Sequence, residues 1–201
     1  MAPSYRKTQS IARKYDATAD THYDVRYSEG QFEKYRSLLD AVAGTLPPVP
    51  GTTIVDSGCG SGLLLPFLSQ NGVIRGKCFV GLDISGGMLA RAMIKAGHRP
   101  GTCFIRATVD LLPLRDGVAS DVFSVSTFQN LDTKQQGQYF KETRRVMQGY
   151  DATFFFGFLD KPPLSDDVDK ILQDLKHFFK NVVVIEKNPR IEDRLFVCKD
   201  P

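Results

Sequence analysis

Ile54-Val55-Asp56-Ser57-Gly58-Cys59-Gly60-Ser61-Gly62 is the stretch whose reading decides the fold. Thr52 to Asp56 reads as a short buried strand, and Leu63 to Gln70 as a helix in which Pro66 falls in the first turn or so, where proline is tolerated. The alternating glycines between them allow a tight turn and let a ligand approach the backbone with no Cβ in the way. Amides at the start of the helix can face a polar ligand. A glycine-rich turn alone says little. The next strand, Cys78 to Asp83, strengthens it by ending in Val80-Gly81-Leu82-Asp83. An acid there can accept both hydrogens of a ribose 2′,3′-diol. The bland alternative is a turn followed by a strand-end cap.

Two cofactor classes carry such a ribose. A dinucleotide needs GxGxxG and sets its pyrophosphate on the helix N-terminus. Here the glycines alternate and Asp56 precedes them. That acid would repel a pyrophosphate and attract an ammonium group. The pattern therefore points to a nucleoside joined to an amino acid.

Outward from this loop, helices and strands alternate. Ser28 to Gln31 reads as a capping box opening a helix with Phe32, Tyr35, Leu38, Leu39 and Val42 on its apolar side, and Gly44 as its stop. Pro47, Pro48 and Pro50 read as a stiff connector. Met88 to Lys95 reads as a helix, Thr102 to Ala107 and Val122 to Ser126 as strands, Lys134 to Met147 as a helix, and Ala152 to Phe158 as a strand. Ser165 reads as the cap of a further helix, and Val182 to Glu186 with Leu195 to Lys199 as a closing hairpin. Continuous apolar strands separated by helices imply an α/β fold, with a mostly parallel sheet covered on both faces.

Composition narrows the classes. The 201 residues suit one domain. A net charge of +3 does not announce a nucleic-acid binder, although Arg75, Lys77, Arg91, Lys95, Arg99 and Arg106 face one acid, Asp83, between residues 75 and 106. That basic stretch reads as a solvated face, with an RNA or protein contact as the alternative. The four cysteines have no CxxC spacing, so neither a metal site nor a disulfide framework is expected, and those at 59, 78, 103 and 198 read as small apolar residues. No apolar run approaches the ~20 residues of a membrane span. The basic start, with Arg6, Lys7, Arg13 and Lys14, reads as a loose terminus, and the expected location is cytoplasmic.

VDSGCGSG, GLDIS followed by Met88, and the segment from Ala107 to Gly117 occur in order before Asp121 to Thr127. With Tyr15-Asp16 and Tyr23-Asp24 bracketing Ala19, the chain resembles the class I S-adenosylmethionine-dependent methyltransferases, in the small single-domain group with a YDxxAxxYD-like N-terminus. The resemblance implies a Rossmann-like, doubly wound, seven-stranded sheet of order 3-2-1-4-5-7-6 with an antiparallel last strand. It implies S-adenosylmethionine as cofactor and S-adenosylhomocysteine as product. Residues 1–29 would cap the cofactor site, and 30–201 would form the methyltransferase domain. Gly58, Gly60 and Gly62 would pass under the cofactor, and Asp56 would help hold its amino group. Asp83 would bind the ribose, and Ile84 and Met88 would pack near the adenine. Ser57, Cys59 and Ser126 complete the implied set. Thr108 stands where the family usually has an aspartate facing the adenine amino group. Either its hydroxyl or the Val109 amide substitutes, with Asp110 two residues late.

The acceptor is less legible. Chemistry in open α/β sheets sits beyond the carboxyl ends of the strands. His98 and His177 read as surface residues on the opposite rim. His22 reads as the histidine placed for catalysis, with a capping or solvent role as its alternative. Gln129 and Asn130 bind an acceptor or end the fourth strand. Tyr15 and Tyr23 join His22, Gln129 and Asn130 as acceptor contacts. An open rim leans toward a protein or RNA acceptor over a small molecule. The alternative to an active enzyme is a methyltransferase-like, cofactor-binding or partner-dependent subunit.

Overall fold

A computed structural model describes residues 3–19, 22–42, 52–149 and 151–201. Two helices, α1 (Pro3–Thr18) and α2 (His22–Asp40), precede the sheet. Then come β1 (Thr53–Ser57), α3 (Leu64–Gln70), β2 (Cys78–Asp83), α4 (Gly86–Ala96), β3 (Thr102–Arg106), β4 (Asp121–Val125), α5 (Thr133–Val146) and β5 (Thr153–Leu159). The chain closes with α6 (Val168–Phe178), β6 (Asn181–Val184) and β7 (Asp193–Lys199).

The strands form one sheet of order β3-β2-β1-β4-β5-β7-β6, as the resemblance implies. β1 to β5 are joined in parallel, and β7 runs antiparallel to both β5 and β6. Parallel strands need covered faces, and β5 shows how the sequence supplies them. Phe154, Phe156 and Phe158 enter a cluster with Phe128, Tyr139, Phe140 and Phe196. Phe155 enters the opposite cluster and stacks on Phe123 at 4.2 Å between ring centroids. Strand periodicity thus divides a run of phenylalanines between two cores.

Several expectations need correction. Ser28 does not open a helix, because α2 already begins at His22 and runs through Gly30 without interruption. The N-terminus is not loose: it forms α1, for which the apolar pattern gave no sign. Ala12 is the one side chain of α1 buried in the core among those described. α6 begins at Val168, after a short 3-10 turn over Leu164–Asp167; the Ser165 side chain lies outside the described residues, as do Gly44, Pro47, Pro48 and Pro50. Cys78 and Cys103 are exposed rather than packed inside, because Cys78 is the first residue of β2 and Cys103 lies on β3, the edge strand. No helix among the described residues is long and apolar enough to cross a membrane.

Candidate active site

The loop after β1 rises at the carboxyl end of the sheet, between the ends of β2 and β4. Gly58 has φ +86°, and a Cβ there would overlap the Thr127 side chain. Gly62 has φ +77°, and its missing Cβ would stand 2.7 Å from that of Ala92, so glycine lets the loop pack against α4. The Gly60 amide donates to Asp83 Oδ2 at 2.9 Å, and the Ser85 amide donates to Oδ1 at 2.8 Å. Asp83 therefore ties the glycine loop to the β2–α4 turn. Each carboxylate oxygen can accept further hydrogens. Burial pushes the Asp83 carboxyl above its usual pKa, against the pull of these amides.

Asp56 lies buried beneath the loop. Its carboxyl is pushed up to about 8, by burial first and by the charge of Asp83 second. Asp56 Oδ2 and Ser57 Oγ are buried without a hydrogen-bond partner among the described residues. Such orphaned oxygens are costly and suit a donor that arrives with a ligand.

Around the loop opens a cleft of about 910 Å³, its mouth included. Gly58, Cys59, Gly60, Asp83, Ile84, Thr108, Val109 and Ser126 line it, as do Tyr15, Tyr23 and Asn130. Asp56, Ser57, Gly62 and Met88 stand behind this wall, the last packed in the core. His22 is exposed at the start of α2 and is not part of the wall. Gln129 lines a second, adjoining cavity. Asp110 also lines the cleft, with Oδ1 buried and unpartnered among the described residues.

α1 and α2 stand over the cleft, and the two Tyr-Asp pairs divide the work. Each tyrosine lines the cleft, and each aspartate fastens its helix. Asp16 Oδ1 accepts from Ser85 Oγ at 2.6 Å and from the Gly87 amide at 2.9 Å, which holds its carboxyl below the usual range. Asp24 Oδ1 accepts from Ser61 Oγ at 2.5 Å, inside the glycine loop. Asp24 Oδ2 meets Arg91 at 2.7 Å and Lys95 at 2.6 Å. Burial acts to raise the Asp24 carboxyl, but the bonds from Lys95, Ser61 and Arg91 outweigh it and lower the pKa. Asn130 Nδ2 donates to Tyr15 Oη at 3.2 Å, and Gln135 Nε2 donates to Thr8 Oγ1 at 3.3 Å.

These contacts consume much of the basic stretch. Lys77 is buried against Asp121 at 3.1 Å, and Arg91 and Lys95 clamp Asp24. Arg99 and Arg106 donate to the carbonyls of Ile74 and Ile84. All of these basic residues but Arg75 are thus engaged by acids or carbonyls of the chain itself, although Arg75, Lys95 and Arg106 remain exposed.

Residues 54–149 match a family described as a methyltransferase domain. That stretch, just under half of the chain, is similar to the methyltransferase domains. The matched residues run from β1 to just past α5, which includes the glycine loop and Asp83. A malonyl-[acyl-carrier protein] O-methyltransferase of Marinomonas sp. is 30% identical over 128 residues, which is 64% of this chain and 44% of that protein. The chain therefore spans under half the length of that curated relative. The fold is shared with a chain from the complex of the Haloferax volcanii methyltransferase activator Trm112 with a methyltransferase, at TM-score 0.67 and 18% identity, covering 93% of this chain and 97% of that one. It is shared too with magnesium protoporphyrin IX methyltransferase of Synechocystis, solved with S-adenosylhomocysteine, at TM-score 0.68 and 14% identity, covering 97% and 100%.

Sequence reasoning missed Gln31, Lys34, Arg190 and Asp193, which surround the second cavity. Lys34 lies on the solvent-reading side of a helix, and Arg190 and Asp193 arrive from the far end of the chain. Only the sheet order brings them together, so no local signal announces them.

Proposed function

We propose that the protein transfers methyl groups from S-adenosylmethionine, and that the cleft over the glycine loop holds this cofactor. The observation that carries the reading is the position of Asp83. It stands half-buried on the cleft wall, fixed by the amides of Gly60 and Ser85, with accepting capacity left for a ribose diol. The open space where a Gly60 Cβ would sit provides the close backbone approach. The orphaned Asp56 Oδ2 beneath the loop can accept a hydrogen that arrives with an ammonium, whose charge would favour the ionised form of this carboxyl. Ile84 and Val109 offer apolar contact to an adenine, and the unpartnered Asp110 Oδ1 offers its amino group an acceptor in place of the missing aspartate at Thr108.

The chemistry the cofactor supplies is a methyl on a sulfonium, passed to a nucleophile while the carbon–sulfur bond pair returns to sulfur. The residues of this chain have the tasks of holding the two reactants in line and excluding water, and such positioning can be worth roughly 7 kcal/mol or more. We read residues 1–29 as the cap of the site. An open rim suits a protein or RNA acceptor, but two helices stand over this rim, which favours a smaller acceptor or a single side chain. Four free cysteines go with a reducing, cytoplasmic setting.

Calorimetry tests the reading. The wild type is expected to bind S-adenosylhomocysteine, and Asp83→Ala to lose about a hundredfold in affinity, the scale of a lost pair of charge-assisted hydrogen bonds. Equal binding by both proteins, or preferential binding of NAD, would sink the assignment.

A further inference from the structure

Beside the cofactor cleft lies a second cavity of about 1330 Å³, its mouth included. The two share Tyr15, Tyr23, Gln31 and Ser126, so whatever fills the second lies next to whatever fills the first. Ser126 forms the divide with φ +61°, a conformation that costs a non-glycine residue and that clusters at functional sites.

The charges around this cavity do not cancel. Lys34 pairs with Asp193 at 2.8 Å, and both engage Ser126: Lys34 Nζ donates to its hydroxyl at 2.8 Å, and the hydroxyl donates to Asp193 Oδ2 at 2.7 Å. Glu192 pairs with Lys161 at 2.8 Å. Both acids on the wall are therefore neutralised. Lys14, Arg26 and Arg190 line the same cavity, are exposed, and make no ion pair among the described residues. Three cations without counter-ions among the described residues raise the local concentration of anions.

The remaining wall adds shape. The rings of Tyr23 and Tyr27 lie 4.7 Å apart, and Tyr15 stands with them on the cavity. Such faces suit a flat ring. Two amide oxygens, Gln31 Oε1 and Gln129 Oε1, are buried without partners among the described residues. Their nitrogens are already spent on Ser126: Gln129 Nε2 donates to its carbonyl at 2.6 Å and Gln31 Nε2 to its hydroxyl at 3.3 Å. Each oxygen can accept from a hydroxyl or amine on a ligand.

We infer that this cavity is the methyl-acceptor site and takes a small planar molecule bearing an anionic group, with Lys14, Arg26 and Arg190 holding the anion. The inference rests on the methyltransferase reading for the word acceptor, but the binding site stands on its own geometry. It also gives the stapled helices a purpose, because α1 and α2 supply Lys14, Arg26 and the tyrosine faces.

The test is calorimetry on the full chain, free and saturated with S-adenosylhomocysteine. The probes are 2-naphthoate and its neutral counterpart 2-naphthamide. Naphthoate is expected to bind at least about tenfold more tightly than naphthamide. The triple variant Lys14→Gln, Arg26→Gln, Arg190→Gln is expected to lose that preference while its affinity for S-adenosylhomocysteine stays within about twofold. Arg26→Gln alone repeats the contrast at smaller scale, should the triple variant fold poorly. Equal affinity for the two probes, no naphthoate binding at millimolar concentration, or an unchanged preference in the variants would overturn the inference. Failure of S-adenosylhomocysteine to bind the wild type would instead count against the cofactor reading, and the titration of the free protein would still report on the cavity.

Discussion

β5 buries Phe154, Phe155, Phe156 and Phe158 completely, whereas α1 places one described side chain, Ala12, in the core. The strand is held by removing apolar surface from water on both faces of the sheet. The helix is held by hydrogen bonds from Ser85, Gly87 and Gln135, and the start of α2 by the clamp of Ser61, Arg91 and Lys95 on Asp24. Apolar burial is non-directional and survives changes of pH and salt. Carboxylate clamps are directional, exposed to titration, and easily undone one at a time. A protein built of both can keep a rigid sheet while the helices above it are released.

The contrast is broken most violently from the sheet side. Phe156→Ala should destabilise the whole molecule by about 3–5 kcal/mol, seen as a lower urea midpoint by every probe. Asp24→Ala should cost less, about 1–3 kcal/mol in the docking of α1 and α2 rather than in global stability, because it strands Ser61, Arg91 and Lys95. Its signature is local: faster cleavage of α1 and α2 by a protease and roughly tenfold weaker binding of S-adenosylhomocysteine, with the main unfolding midpoint little moved. If Asp24→Ala instead lowered that midpoint as far as Phe156→Ala does, the two regions would be one cooperative unit.

Acidity should act on the two regions in opposite senses. Asp56 is held protonated up to about 8 in the folded protein, against roughly 3.9 in an unfolded chain. Between these values the native state binds the extra proton, so the sheet loses stability as pH rises from about 4 to about 8. Asp16 and Asp24 have lowered values, so what they contribute is present above the unfolded carboxylate pKa and is lost as pH falls through their own. Urea midpoints at pH 5 and pH 8 should show the decline in the wild type and a flatter line in Asp56→Asn. An equal slope in both proteins would remove Asp56 from the explanation.

The same difference explains what the sequence made legible. The central strands β1, β4 and β5 appear as apolar runs because both faces of each are covered, and Asp83 is recognisable because a strand end beside a glycine loop confines what an acid can do there. α1 left no apolar stripe, since it docks through Thr8 and Asp16 onto partners far along the chain. The Ser28 capping pattern misleads for a related reason: nothing local reveals that Tyr23 and Asp24 already belong to the same helix. Lys34, Arg190 and Asp193 meet only because β7 lies between β5 and β6, a consequence of the whole sheet.

Amide hydrogen exchange on the wild type and on Asp16→Ala/Asp24→Ala, each saturated with S-adenosylhomocysteine, tests most directly whether the cover is fastened to the platform by its two aspartates. The double variant should exchange rapidly through α1 and the first half of α2 while β1, β4 and β5 keep wild-type protection. Protection of those helices equal to the wild type, or its loss throughout the sheet, would contradict it.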